Sequence, residues 1–150
     1  MLLLLFNVGE DVYAIDAASV VEVLPLVDIK SVAHASRSLA GTFNYRGAFV
    51  PAIDLSALML GRSAQARLST RIILIKTSEN RESRLLGLIA EKTTETMRCE
   101  PSDFVPPGVV SDAAPYLGPI AKGRRGFVQR IEVDKLPGAA MPHFLLKQSA

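Results

Sequence analysis

The amino-acid sequence predicts a mostly β protein, and three observations carry that expectation. Short apolar runs recur about every ten residues, separated by glycine, proline and polar turns, as in sandwiches and barrels. The run Ile72-Ile73-Leu74-Ile75 is continuous and rich in β-branched residues, the pattern of a strand buried on both faces. A hairpin-plus-strand pattern occurs twice, in residues 1–60 and again in 70–136, without a strict residue-by-residue repeat. We therefore expect a single domain over residues 1–150, built as two small barrels packed together and followed by a tail at 137–150.

Each element follows from local chemistry. Residues 2–8 and 12–15 flank Gly9-Glu10-Asp11, whose dihedral tolerance suits a tight hairpin. Residues 20–24 form the next strand, which Pro25 ends. A second hairpin spans 43–53, with its turn near 44–47; Pro51 donates no hydrogen bond and so belongs at an edge or a bulge, which leaves an exposed sheet edge nearby. Asp54 reads as the N-cap of a short helix, with Leu55, Leu58 and Met59 on one face and Gly61 closing it. A polar linker at 61–69 leads to the strand at 72–75. Beyond a turn at 78–83, residues 85–97 read as a long threonine-rich strand or bent pair broken at Gly87. Pro101, Pro106, Pro107 and Gly108 mark an irregular surface crossing. A turn at 122–126, a strand at 127–133 and a helical turn at 134–136 complete the pattern.

Composition excludes several function classes. With 49% hydrophobic residues in 150, the chain can bury one substantial core or two small ones without disulfide or metal. Lys and Arg number 17 against 15 Asp and Glu, so a net charge of +2 sets up no field for nucleic acid or an anionic membrane. Cys99 is the single cysteine, which fits a reducing cytoplasm, and His34 and His143 lack any metal-ligand spacing. The apolar opening at 1–6 has no basic n-region and soon meets Glu10-Asp11, unlike a signal peptide, and no apolar run approaches the roughly 20 residues of a membrane span. Gly-rich phosphate loops, zinc spacings and nucleophile elbows are missing from the sequence, and Glu91 and Glu95 form no acid/base pair around a cleft. We expect no enzyme, no cofactor and no metal. The basic turn at 122–125 reads as solvated.

The candidate binding residues lie in the first third. Period-two alternation places Val21 and Val23 on one face of their strand and Val20, Glu22 and Leu24 on the other. If Val21 and Val23 point inward, Glu22 stands outward as a carboxylate rimmed by aliphatic side chains, a plausible docking patch. Arg46, in Asn44-Tyr45-Arg46-Gly47, offers a planar five-donor fork that can reach Glu22 or a partner's acid.

The block at 39–55, with Tyr13-Ala14-Ile15-Asp16, Val20-Val21-Glu22-Val23, Tyr116-Leu117-Gly118 and the stretch Ile131-Glu132-Val133-Asp134-Lys135-Leu136, resembles the CheW-like family over nearly the whole chain. The resemblance implies a pair of intertwined five-stranded β-barrels. It also implies a non-enzymatic adaptor that couples the cytoplasmic tip of a methyl-accepting chemoreceptor to the regulatory domain of a CheA-type histidine kinase. Such a protein is cytoplasmic, is recruited to membrane receptor arrays, and does not insert in the bilayer itself. On the family's pattern the receptor-binding residues are Val20, Glu22, Gly41 and Arg46, while the kinase face uses a barrel edge that could also support weak self-association. Gly41→Asp or Arg46→Ala is then expected to weaken receptor coupling with the melting temperature nearly unchanged. Two positions depart from the pattern: Tyr45 replaces a leucine, and Ser36 stands where a proline is common, which implies a looser loop at 34–38. The alternative class, a small-barrel nucleic-acid-binding module, is disfavoured by the balanced charge and by an aromatic content of 6%.

Overall fold

The computed structural model describes residues 1–79, 82–124 and 126–137. Arg125 of the expected basic turn, residues 80 and 81 of the expected polar turn and residues 138–150 of the expected tail lie outside the described residues. β1 (Leu2–Val8) and β2 (Asp11–Asp16) form an antiparallel hairpin, turned through Gly9 at φ 62°. They are followed by β3 (Val20–Pro25), β4 (Leu39–Tyr45), β5 (Ala48–Asp54), α1 (Leu55–Leu60), β6 (Arg71–Glu79), β7 (Glu82–Arg98), β8 (Leu117–Gly123) and β9 (Gly126–Ile131).

The strands make two five-stranded sheets that share β7, ordered β4-β5-β7-β6-β3 and β7-β1-β2-β9-β8. Among the described residues neither closes through a continuous ladder. A single bridge, Lys30 to Thr42, ties β4 to the chain beyond β3, and another joins Val105 to Ile120 in β8. The sheets do not follow the sequence halves 1–60 and 70–136: β1 and β2 join β8 and β9, while β6 joins β3, β4 and β5. The reason is the length of β7, whose 17 residues pair with β5 and β6 at one end and with β1 at the other.

The expected break at Gly87 is absent. Gly87 lies within continuous pairing between β6 and β7, and a Cβ there would sit 2.6 Å from Phe43 Cε1, so the glycine serves close packing. The irregularity in β7 falls later, at Lys92, whose φ is 50°. Against β1, Leu5 pairs with Glu95 and Asn7 with Glu91, so β7 spends four residues where β1 spends two.

β6 divides the two main cores. Ile73 and Ile75 face one containing Phe6, Ile15, Ile53 and Leu88, while Ile72 and Leu74 face another containing Phe43, Val50 and Ile89. All four β6 residues are fully buried, each stabilising the fold by about 1.5–3 kcal/mol through removal of apolar surface from water. Pro51 is tolerated because Thr42, opposite it, exchanges both backbone hydrogen bonds with Lys30, and β5 begins pairing with β7 only at Ala52. Asp54 caps α1 as expected, accepting from the backbone N–H groups of Ser56, Ala57 and Ala64, and Gly61 ends the helix at φ 75°.

Candidate functional site

The β4–β5 turn carries Arg46 at φ 51° and Gly47 at φ 89°, the two positive values of a type I′ hairpin turn. Asn44 fixes it by accepting from the Gly47 N–H at 3.1 Å. Tyr45 immediately precedes the turn, with its ring body against the second core. Its hydroxyl donates to Glu22 Oε1 at 2.9 Å. Arg46 Nη2 lies 3.7 Å from the same oxygen, and the guanidinium carbon stands 5.2 Å from the centre of the Tyr45 ring. The Tyr45 phenol is held above its ordinary value near 10, first by the hydrogen bond to Glu22, then by desolvation. Arg46 and Glu22 side chains are 78% and 43% exposed, so their ion pair is worth only about 0–1 kcal/mol and its consequence is orientation.

Glu22 reaches this position because β3 is irregular. Val20 pairs with Ile75, yet Glu22 already pairs with Leu74, which leaves Val21 as an extra residue. Val20 packs on the core that holds Ile75, and Leu24 on the core that holds Leu74. Val21 and Val23 are therefore not the inward pair that simple alternation allows; they are 47% and 40% exposed. Leu26 and Val27 are exposed as well, so β3 and the residues just after it carry four exposed aliphatic side chains near Glu22 in sequence.

The structure brings Glu22 and Arg46 together and gives Val20 and Gly41 other surroundings. Val20 is half-buried against the core. Gly41 is buried at φ 149°, and a Cβ there would meet Lys30 O at 2.1 Å, an atom held by the Lys30–Thr42 bridge. Gly41→Asp is consequently a folding change, contrary to the expectation that it would leave the melting temperature nearly untouched. Tyr45 is the participant that sequence reasoning missed. Its departure from leucine was visible, but not the hydroxyl's reach across 23 residues of sequence to Glu22.

Asp54 and Glu91 have structural roles. Asp54 is the helix cap, and Glu91 accepts from Ser56 Oγ and the Gln65 N–H, holding the linker after α1 to β7. Among the described residues no group of three or more His, Cys, Asp or Glu converges to hold a metal. The basic turn at 122–124 is exposed at Lys122 and Arg124.

Two sheets sharing one long strand, with Glu22, Tyr45 and Arg46 joined at one end and exposed aliphatic residues along β3, define a small all-β module. The family model of the CheW-like domain matches residues 2–140, and the chain belongs to that family. It is 26% identical over 111 residues to the chemotaxis protein CheW of Rhizobium meliloti (strain 1021), covering 73% of this chain and 69% of that one. It is 24% identical over 136 residues to the chemotaxis protein CheW of Treponema pallidum (strain Nichols), covering 89% and 80%. The crystal structure of the scaffolding protein TtCheW from Thermoanaerobacter tengcongensis superposes with a TM-score of 0.79 at 24% identity, over 93% of this chain and 91% of that one, and shares the fold.

Proposed function

We propose that this protein is a non-enzymatic coupling scaffold of a bacterial chemosensory array. It holds the cytoplasmic tip of a methyl-accepting chemoreceptor on the face carrying Glu22, Tyr45 and Arg46, and the regulatory domain of a CheA-type histidine kinase on a sheet edge elsewhere. The observation that carries the reading is the joint orientation of Tyr45 and Arg46 on one oxygen of Glu22, on a strand segment whose Val21, Val23, Leu26 and Val27 are exposed. An oriented polar group together with exposed aliphatic side chains on the same segment matches the anatomy of a protein interface. Val20 and Gly41 contribute by shaping this face from beneath: one anchors β3, the other admits the Lys30 strand segment.

Membership in the CheW-like family and the similarity to two proteins named for chemotaxis support the same reading. No helix among the described residues is long and apolar enough to cross a membrane, which is compatible with a cytoplasmic protein drawn to arrays by its partners. Single contacts of this kind have dissociation constants near micromolar, about −8 kcal/mol, and become durable through multivalency. Titration calorimetry against a receptor tip and a kinase regulatory domain tests the proposal, with Glu22→Arg in parallel. The expected result is saturable binding to both partners and selective loss of the receptor arm in the variant. A folded wild-type protein giving heat with neither partner overturns the proposal, and a variant that keeps its receptor affinity overturns the site.

A further inference from the structure

A partly open cavity of about 690 Å³ lies where β7 bulges away from β1, and neither Glu22, Tyr45 nor Arg46 lines it. Its apolar wall includes Leu5, Phe6, Val12 and Met97. Among the described residues the charged groups lining it are Lys92, Arg98 and Arg124, against one carboxylate, Glu95, which already has an interaction partner. Three cations and one carboxylate leave a local formal charge of +2, as large as that of the whole chain.

The backbone that presents these groups is fixed and locally strained. Lys92 adopts φ 50°, a region that non-glycine residues rarely occupy, and such strain concentrates at ligand sites. The bulge is pinned: the Thr93 N–H donates to Ser69 O, and Thr93 Oγ1 donates to Ala90 O, both at 3.2 Å. Ser69 itself lines the cavity. A bulge that re-aims a side chain beside a cavity is a recurrent means of building a site, and the volume falls within the roughly 300–1,000 Å³ typical of small-molecule pockets.

We propose that this cavity binds a small amphipathic anion, its carboxylate or phosphate headgroup held by Lys92, Arg98 and Arg124 and its apolar body lying against Leu5, Val12 and Met97. Charge complementarity selects the sign of the ligand, and the aliphatic wall selects a tail over a bare inorganic ion.

The test is a methyl-resolved NMR titration of the full chain with decanoate and decyl phosphate, each kept monomeric. Decyltrimethylammonium serves as a control with the same tail and opposite charge, and inorganic phosphate as the headgroup alone. The expected result is saturable shifts at the Leu5, Val12 and Met97 methyls with one or both amphiphilic anions, the stronger of the two identifying the preferred headgroup, and with inorganic phosphate at least about tenfold weaker. Arg98→Glu combined with Arg124→Glu, both at exposed positions, should weaken binding by at least about tenfold. Lys92→Gly, which also relieves the backbone strain and so protects the fold, should weaken it about threefold. Equal binding of the ammonium amphiphile, shifts confined to other methyls, or unchanged affinity in folded variants would overturn the proposal.

Discussion

A single oxygen, Glu22 Oε1, receives both the Tyr45 hydroxyl and the nearest Arg46 nitrogen, so Tyr45 and Arg46 are coupled through it. Because Tyr45 in the folded protein binds its proton more tightly than a free tyrosine, its stabilising effect is complete below pH 10 and is lost as pH rises through its elevated value. Tyr45→Phe should abolish that step in the ultraviolet phenolate titration and leave the other tyrosines unchanged. Gly41 gives the opposite kind of prediction. Gly41→Ala places a methyl group against Lys30 O at a φ that L-residues rarely adopt, and should destabilise by more than about 2 kcal/mol in urea unfolding, whereas Arg46→Ala should cost less than about 1 kcal/mol. Spacing placed Glu22 on a strand and Arg46 at a turn, while their choice as receptor-binding residues came from the family resemblance. The surroundings of Gly41 were not legible, since they depend on where residues 29 and 30 return in space.

Hydrophobic periodicity made most elements readable: the β1–β2 and β4–β5 hairpins, the doubly buried β6, and α1 with both of its caps. It failed at β3 and β7, where bulges displace the period, and a bulge leaves no fixed residue signature. Gly87 illustrates the ambiguity, because a glycine in a strand pattern signals a break, a bulge or a close neighbour, and only the position of Phe43 decides among them. Gly87→Ala should cost about 1–3 kcal/mol by overpacking, and Phe43→Leu added to it should recover part of that loss, a coupling measurable by a double-mutant cycle in chemical denaturation. Asp54→Ala should cost about 2 kcal/mol, since one carboxylate accepts from three backbone N–H groups at the start and beyond the end of α1.

Across the whole molecule β6 and β7 form the spine: β6 is sealed on both faces and β7 is common to both sheets. Amides of residues 72–75 should be the slowest to exchange with solvent, opening only with global unfolding, as native-state hydrogen exchange can establish. Tyr13 and Tyr116 both contact the main core and are raised above the usual value near 10, mainly by burial, so the native protein is favoured below that pH and loses this contribution on further alkalinisation. Thermal melts should fall steeply there, and still do so in the Tyr45→Phe protein. The two-barrel class could be read from the turn spacing, but the exchange of strands between sequence halves could not, because pairing between distant segments has no local signal. That exchange bears on biosynthesis. β2 takes β9 alongside it, with Val12 paired to Val128, so one edge of the first hairpin made by the ribosome stays without its partner strand until more than a hundred further residues have been translated. The sheet β4-β5-β7-β6-β3 draws only on residues 20–98 and can pair before β8 and β9 exist, whereas the sheet that holds the first hairpin is completed by the last strands made.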